Sequence, residues 1–324
     1  MKLYSNLNNN FLKSIASIKY IQNIVKEKYG IVDIDDLLLI KSEINDIYKV
    51  ILKNKLTYIL KVYNIEKTVN SLQFEIDYIL YLLKNHFSTP QLIKSIENLY
   101  YIFIEYPEGK RLAVLMKYIP DNKIQHNFSS ASTLGKNIAK LHNLSNLFNS
   151  SMLTEREHDV LKILKYSKIQ IDKFLARYYP KHISRFNDIF CSLEILDNFK
   201  FTKRYCHNDL HNDNIIAYNK RIYILDFDFL GFGFALYDLS VFKWSCVLNK
   251  RADIWNDFLK NYQIASPILN DELKYIDFFV AVRDIITTAI YIDKINYIGS
   301  RFINDVFITK RIEFINNILN YKRR

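Results

Sequence analysis

Apolar positions along the chain change rhythm about a third of the way in. Phe11, Leu12, Ile15, Ile18, Ile21 and Val25 recur at three- and four-residue intervals, which predicts an amphipathic helix over residues 11–28. From about residue 35 the texture is that of strands. Ile47, Tyr48 and Val50-Ile51-Leu52, then Tyr58-Ile59-Leu60-Lys61-Val62-Tyr63, predict two strands joined by the polar turn Lys53-Asn54-Lys55. A second helix is expected over 68–85, with Leu72, Ile76, Ile79, Leu80 and Leu83 facing inward. Pro90 ends that segment, and short strands are expected near 91–96, 100–106 and 111–118. Pro120-Asp121-Asn122 breaks the pattern and marks the expected boundary between a first lobe, 1–120, and a second, 121–324. Helical spacing dominates the second lobe, at about 129–146, 155–179, 235–248, 251–263, 270–295 and 302–320. One β island interrupts it, where Asn219-Lys220 turns Ile215-Ile216-Ala217 against Ile222-Tyr223-Ile224-Leu225.

Composition narrows the choice of chemistry. Hydrophobic residues at 49% and charged residues at 24% describe a globular chain and not a disordered one. Lys and Arg total 45 against 34 Asp and Glu, and the resulting +11 favours an anionic ligand, either nucleotide phosphates or a nucleic acid. The basic residues are scattered, except for Lys322-Arg323-Arg324, and no nucleic-acid-binding motif occurs, so no nucleic-acid partner is expected. Six glycines leave no G-x-x-x-x-G-K-[ST] and no complete G-x-G-x-x-G, which excludes a P-loop and a standard dinucleotide fingerprint. Cys191, Cys206 and Cys246 are too widely spaced for a disulfide framework or a zinc site. The opening MKLYSNLNNNFLKS lacks the apolar stretch of a signal peptide, and no run of about 18 apolar residues occurs, so a cytoplasmic protein without a membrane span is expected.

The β island carries the chemistry. It is preceded by Cys206-His207-Asn208-Asp209-Leu210-His211-Asn212-Asp213-Asn214 and followed by Asp226-Phe227-Asp228. His207, Asp209 and Asn214 have the H-x-D-x-x-x-x-N spacing of a phosphotransferase catalytic loop. A hydroxyl attacking a γ-phosphate needs a carboxylate to orient it and accept its proton, and Asp209 fits that role. Magnesium prefers oxygen ligands, which Asn214 and Asp226 offer from the two ends of one hairpin. His207 is expected to brace the loop, with Asp228 in a supporting role. In the first lobe, Lys61 interrupts an apolar strand and Glu75 lies on the next helix, a pairing suited to holding α- and β-phosphates. Ser42-Glu43-Ile44-Asn45-Asp46 occupies the place of a glycine-rich phosphate cover without a glycine; Ser42 and Asn45 are its candidate phosphate donors.

These residues resemble the aminoglycoside phosphotransferase and choline kinase group of kinase-like enzymes, over about residues 35–300. Ile44-Asn45-Asp46-Ile47-Tyr48-Lys49-Val50 is similar to the family's nucleotide-loop strand, and Tyr58–Tyr63 to its lysine strand. Ala113–Pro120 resembles the hinge, whose backbone from Lys117 to Ile119 would meet adenine. Leu134-Gly135 and Leu141-His142 fit a family helix, and Tyr237-Asp238-Leu239 matches the aspartate that anchors the catalytic loop. Gly231-Phe232-Gly233 and Val280-Ala281-Val282-Arg283 resemble the homoserine-kinase-like and stress-kinase-like branch. The resemblance implies an α+β, bilobal protein-kinase-like fold: a small N-terminal antiparallel sheet lobe that binds ATP, then a larger, mainly helical lobe that holds the acceptor. It also implies magnesium and a hydroxyl-bearing small-molecule acceptor. A Ser/Thr kinase of proteins or peptides and a nucleotide-binding pseudokinase scaffold stand as alternatives, and the oligomeric state is unreadable. Asp238, Asp253, Asp257, Asp271, Glu272 and Asp277 are the acidic residues available to a cationic acceptor. Arg283 would either meet an acceptor carboxylate or close an internal ion pair.

Overall fold

In the computed structural model, residues 11–120, 128–148, 156–300 and 302–320 are described. The chain divides into two units, Met1–Pro120 and Asp121–Arg324. The expected boundary residues Asp121 and Asn122, and the Lys322-Arg323-Arg324 cluster, lie outside the described residues.

Alternation of buried and open positions builds the first unit. It runs α1 (Ile18–Tyr29), β1 (Ile34–Ser42), β2 (Asp46–Leu52), β3 (Thr57–Val62), α2 (Val69–Lys84), β4 (Leu92–Ile93), β5 (Ile102–Tyr106) and β6 (Gly109–Lys117). All ladders are antiparallel, in the order β1-β2-β3-β6-β4, with β5 also on β6. Every second residue of β2 is buried, so Tyr48, Val50 and Leu52 meet Leu60, Val62 and the α1 side chains Ile21 and Val25 in one core. α1 begins later than residue 11. Ser17 caps it through Tyr20 N–H, and residues 11–17 instead run outside the helix, with Phe11, Leu12 and Ile15 exposed. β1 was not anticipated, because Asp35-Asp36 and Leu38-Leu39-Ile40 break the alternation and two register shifts interrupt its ladder. The strand expected at 91–96 shrinks to β4, because a turn closes from Asn98 N–H to the Ser95 carbonyl.

The second unit contains α3 (Phe128–Ser145), α4 (Val160–Tyr178), α5 (Ile183–Leu193), β7 (Lys203–Cys206), β8 (Ile215–Tyr218), β9 (Arg221–Ile224) and β10 (Gly231–Phe234). α6 (Ala235–Leu248), α7 (Trp255–Ala265), α8 (Asn270–Leu273), α9 (Ile276–Asp293), α10 (Ile295–Ile298) and α11 (Asp305–Asn320) complete it. α6 and α9 are apolar on nearly all sides and form the centre, packed on each other, with α4 and α11 also against α9. The helix expected over 270–295 is broken at Lys274-Tyr275, and α5 had not been expected. α3 and α7 pack closely at Gly135, where an added Cβ would stand 2.3 Å from the Phe258 carbonyl oxygen. No helix among the described residues is long and apolar enough to cross a membrane.

Two small ladders frame the β island. β8 pairs with β9, as the hairpin pattern predicts, and β7 pairs with β10. β7 and β10 are four residues each, too short for an alternation signal. The chain therefore leaves β7 at Cys206, passes through Asp209 and Asn214, turns the hairpin, passes Asp226 and returns along β10 opposite Cys206.

Candidate active site

This closed path brings the loop before the hairpin and the loop after it side by side. Leu225 N–H donates to the Asn214 carbonyl at 2.9 Å, which places Asp226 next to Asn214 at the hairpin's open end. His207 locks the two loops together. Its Nε2–H donates to the Leu225 carbonyl at 2.7 Å, while its Nδ1 accepts the Asp209 N–H at 3.2 Å, and its ring lies against Phe227. That pattern fixes the tautomer and assigns His207 a bracing position. Asn208 and Asp226 sit at φ 63° and 59°, left-handed conformations that Asn and Asp tolerate better than other L-residues. Asp226 is exposed, and its carboxylate accepts the Asp228 N–H.

Beneath the loop lies a buried polar knot. Asp238 of α6 accepts N–H from His207 at 2.8 Å and from Asn208 at 2.7 Å. Its Oδ2 also faces His142 Nε2 at 2.9 Å, and His142 Nδ1 meets the Tyr262 hydroxyl at 2.7 Å. Burial holds the His142 pKa below its ordinary value against the pull of Asp238. Cys206 also lies near this pair, and burial pushes its thiol well above its ordinary pKa, while His142 and Asp238 are joined by a hydrogen bond. Gly231 and Gly233 keep β10 close to the segment at residue 158: a Cβ on Gly231 would fall 2.6 Å from the Arg156 carbonyl oxygen. Arg156 donates to the Leu230 and Asp228 carbonyls, which supports the second loop from outside.

Asp209 itself is buried and densely held. Arg283 Nη2 donates to its Oδ1 at 2.5 Å, Asn214 Nδ2 donates to its Oδ2 at 3.0 Å, and His211 Nε2 stands 3.3 Å away. Burial alone would raise its pKa, yet Arg283 and then His211 hold it well below the usual carboxylate range. Of the two roles open to Arg283 from its sequence, the structure adopts the internal ion pair. Because Asn214 turns its amide nitrogen to Asp209, its Oδ1 is the atom left to accept, which suits a hard cation. Asp213, the extra carboxylate of this loop, projects outward with its side chain 85% exposed.

In the first unit the candidate residues cluster at the open ends of β1, β2 and β3. Glu75 of α2 is buried and accepts the Tyr63 hydroxyl at 2.8 Å and the Lys67 ammonium at 2.7 Å. Lys61 lies 4.3 Å and Lys67 4.7 Å from the centroid of the Tyr63 ring, whose hydroxyl meets Glu75. Lys67 gave no signal in the sequence, because it stands in a polar turn. Ser42 is engaged within its own turn: its hydroxyl donates to Asp46 at 2.6 Å and accepts from Lys13 at 3.0 Å. Asn45 Oδ1 accepts Asn64 N–H, tying the β1–β2 turn to the end of β3. Asp46 is fully buried beside Arg111 at 2.8 Å and Lys13 at 2.8 Å. At the end of β6, Lys117 N–H donates to the Gln91 carbonyl and Tyr118 N–H to the Thr57 carbonyl, with Ile119 beyond them.

The profile of the phosphotransferase enzyme family matches residues 36–267, a span that includes β2, β3, the catalytic-loop motif and Asp226. The chain belongs to that family. An uncharacterized protein of Deinococcus radiodurans is 22% identical over 281 residues, covering 84% of this chain and 81% of its own. Among solved structures, an amicoumacin kinase in complex with AMP-PNP, Ca2+ and its antibiotic aligns with a TM-score of 0.75 and 17% identity, over 93% of this chain and 92% of that one. A spectinomycin phosphotransferase with ADP and spectinomycin gives 0.70 at 15% identity, covering 94% and 99%. The choline kinase of Streptococcus pneumoniae gives 0.65 at 15% identity, covering 93% and 98%. These likenesses establish the fold: an antiparallel sheet unit followed by a helical one, as in kinase-like phosphotransferases.

Proposed function

We propose that this phosphotransferase transfers the γ-phosphate of ATP, bound with magnesium, to a hydroxyl group of a small-molecule acceptor. The observation that carries the reading is the set around Asp209: a buried carboxylate held ionised and bonded to the Asn214 amide nitrogen, with the exposed Asp226 next to Asn214. Asp209 orients the acceptor hydroxyl and receives its proton. Because Arg283 keeps that carboxylate a weak base, its first contribution is alignment, and the proton moves late as the new O–P bond forms.

Asn214 Oδ1 and the Asp226 carboxylate would hold magnesium, which when bound would neutralise charge on the phosphates. The donor set fits such an ion: both are oxygen ligands and neither belongs to a soft thiolate cluster. His207 and Asp238 keep the loop in register, and Asp228 supports it through the Asp226 contact. Residues 1–120 are the nucleotide-binding lobe in this reading and 121–324 the catalytic and acceptor lobe. Lys61, oriented by Glu75, meets the α- and β-phosphates, while backbone groups of Ser42 and Asn45 cover them. Lys117 and Ile119 supply backbone contacts to adenine. Retention of the lysine, both carboxylates and the amide favours an active enzyme over a nucleotide-binding scaffold.

Two substitutions separate these roles. Asp209→Asn retains the fold and the affinity for magnesium-ATP but loses roughly 10²–10⁴ in single-turnover transfer. Asp226→Asn weakens metal-dependent ATP binding as well as transfer, and added magnesium partly restores it. Calorimetric titration beside single-turnover rates reads both. Equal loss of nucleotide affinity in the two variants contradicts the division of labour, and full activity in Asp209→Asn removes the catalytic assignment.

A further inference from the structure

Among solved structures of this fold, the neighbours include a choline kinase, an aminopropanol kinase, an amicoumacin kinase and a spectinomycin phosphotransferase. Asp238 is the acidic side chain of α6, and it is buried under the catalytic loop with all its capacity used by His207, Asn208 and His142. Asp277, near the start of α9, pairs with Lys243 at 2.6 Å. Asp284 takes Arg311 at 3.0 Å and the Trp244 indole N–H at 2.9 Å. Elsewhere in the second unit, Asp253 pairs with Arg251, Asp271 with Lys274, and Glu272 accepts from Thr202. Of the carboxylates that looked available to a cationic acceptor, Asp253, Asp271 and Asp277 are thus ion-paired within the protein, and Asp238 and Glu272 are held by hydrogen bonds.

Arg283 presents the opposite case. Its guanidinium lies 5.2 Å from the Trp244 ring centroid and donates to Asp209 Oδ1. The residue is 9% exposed, yet its Nε has no hydrogen-bond partner. A guanidinium has five N–H donors in a rigid fork suited to an oxyanion, and this one touches the carboxylate that orients the hydroxyl. Both members of the pair keep about a tenth of the side chain accessible, 10% and 11%.

We propose that Arg283 selects acceptors carrying an oxyanion, a carboxylate or a phosphate, beside the hydroxyl to be phosphorylated, and that cationic amino alcohols are poor acceptors. The inference rests on the phosphotransferase reading above. An ammonium group at this position would face a guanidinium, whereas an oxyanion would add to the hydrogen bonding of Arg283. Asp209 and the acceptor's anion would then share one guanidinium, which fixes the hydroxyl against Asp209.

One carbon skeleton tests this with charge as the variable: glycerate, glycerol 3-phosphate, glycerol and 3-amino-1,2-propanediol, each beside a pool of larger hydroxyl compounds of the same charge. Magnesium-ATP turnover is measured with the wild type, Arg283→Gln and Arg283→Lys. The expected result is highest kcat/KM in a carboxylate or phosphate class, and which of the two leads identifies the oxyanion. Arg283→Gln should lower the anionic-to-neutral ratio of kcat/KM by at least about tenfold, with Arg283→Lys in between. A structural role alone would lower both acceptor classes by one factor and leave the ratio unchanged, which overturns the proposal. Preference for the cationic or neutral class in the wild type also overturns it, even if Arg283→Gln does not fold. So does the absence of transfer in every class while magnesium-ATP still binds. Absence of nucleotide binding instead defeats the phosphotransferase reading on which the inference stands.

Discussion

A single carboxylate, that of Asp238, accepts hydrogen bonds from the His207 and Asn208 backbone and from the His142 ring, with no solvent exposure. Replacing one of its oxygens by an amide nitrogen sets donor against donor in a site that water does not reach. Asp238→Asn is therefore expected to cost about 3 kcal/mol of stability, the order of a buried charged group's hydrogen bonds. The measurement is a denaturant midpoint at unchanged slope; a loss under about 0.5 kcal/mol would mean that the loop holds its shape without this anchor. His207 was legible in the sequence through the spacing of its motif, and Asp238 through the resemblance to the family. The pairing of Arg283 with Asp209 was not, since 74 residues separate them and either of two roles suits an arginine after an apolar run.

At the scale of elements, the β1–β2 turn carries no glycine, and the structure stabilises it from a distance. The three ammonium protons of Lys13 have three acceptors: Ser42 Oγ at 3.0 Å, the Glu43 carbonyl at 2.8 Å and Asp46 Oδ1 at 2.8 Å. Ser14 adds a hydrogen bond from its N–H to Glu108 and accepts one from Arg111, so residues 13–14 strap the turn to the β5–β6 hairpin. If the turn covers phosphates as proposed, Lys13→Met should raise the KM for ATP roughly fivefold, on the order of 1 kcal/mol, with a smaller change in kcat. Steady-state kinetics against ATP at saturating acceptor reads this. An unchanged KM would separate the strap from nucleotide binding. The apolar periodicity of residues 11–28 concealed the strap, because Phe11, Leu12 and Ile15 continue the helical spacing although Ser17 starts the helix.

Over the whole molecule, buried histidines set the response to acid. Burial lowers the pKa of His158 to about 4, with Asp238 opposing and Arg283 reinforcing the shift. His142 is lowered in the same direction. Such a group binds its proton in the unfolded chain near 6.5 but resists it when folded, so the unfolded state takes up more protons as pH falls. The contribution is complete above about pH 6.5 and is lost as pH drops toward 4, about 2 kcal/mol from His158 alone by pH 5. Asp209, whose folded pKa is depressed, adds a loss of the same sign only below about pH 4. Chemical unfolding at pH 7 and pH 5 is expected to show the fall, and His158→Gln to reduce it. An equal fall in that variant would assign the acid sensitivity to other groups.

The local placement of the motif residues was legible in sequence alone. Motif spacing placed His207, Asp209, Asn214 and Asp226 at the ends of one hairpin, and period-two alternation placed β2 and β3. These are short-range properties, since a hairpin and the loops flanking it need only neighbouring residues to form. Tertiary structure decided the electrostatics. It set Arg283 on Asp209, Arg111 and Lys13 on Asp46, Lys67 on Glu75, and Lys243 and Arg311 on Asp277 and Asp284 of α9. Charge pairing depends on which helix faces meet and on how far water is excluded, and neither is written in the spacing of residues along the chain.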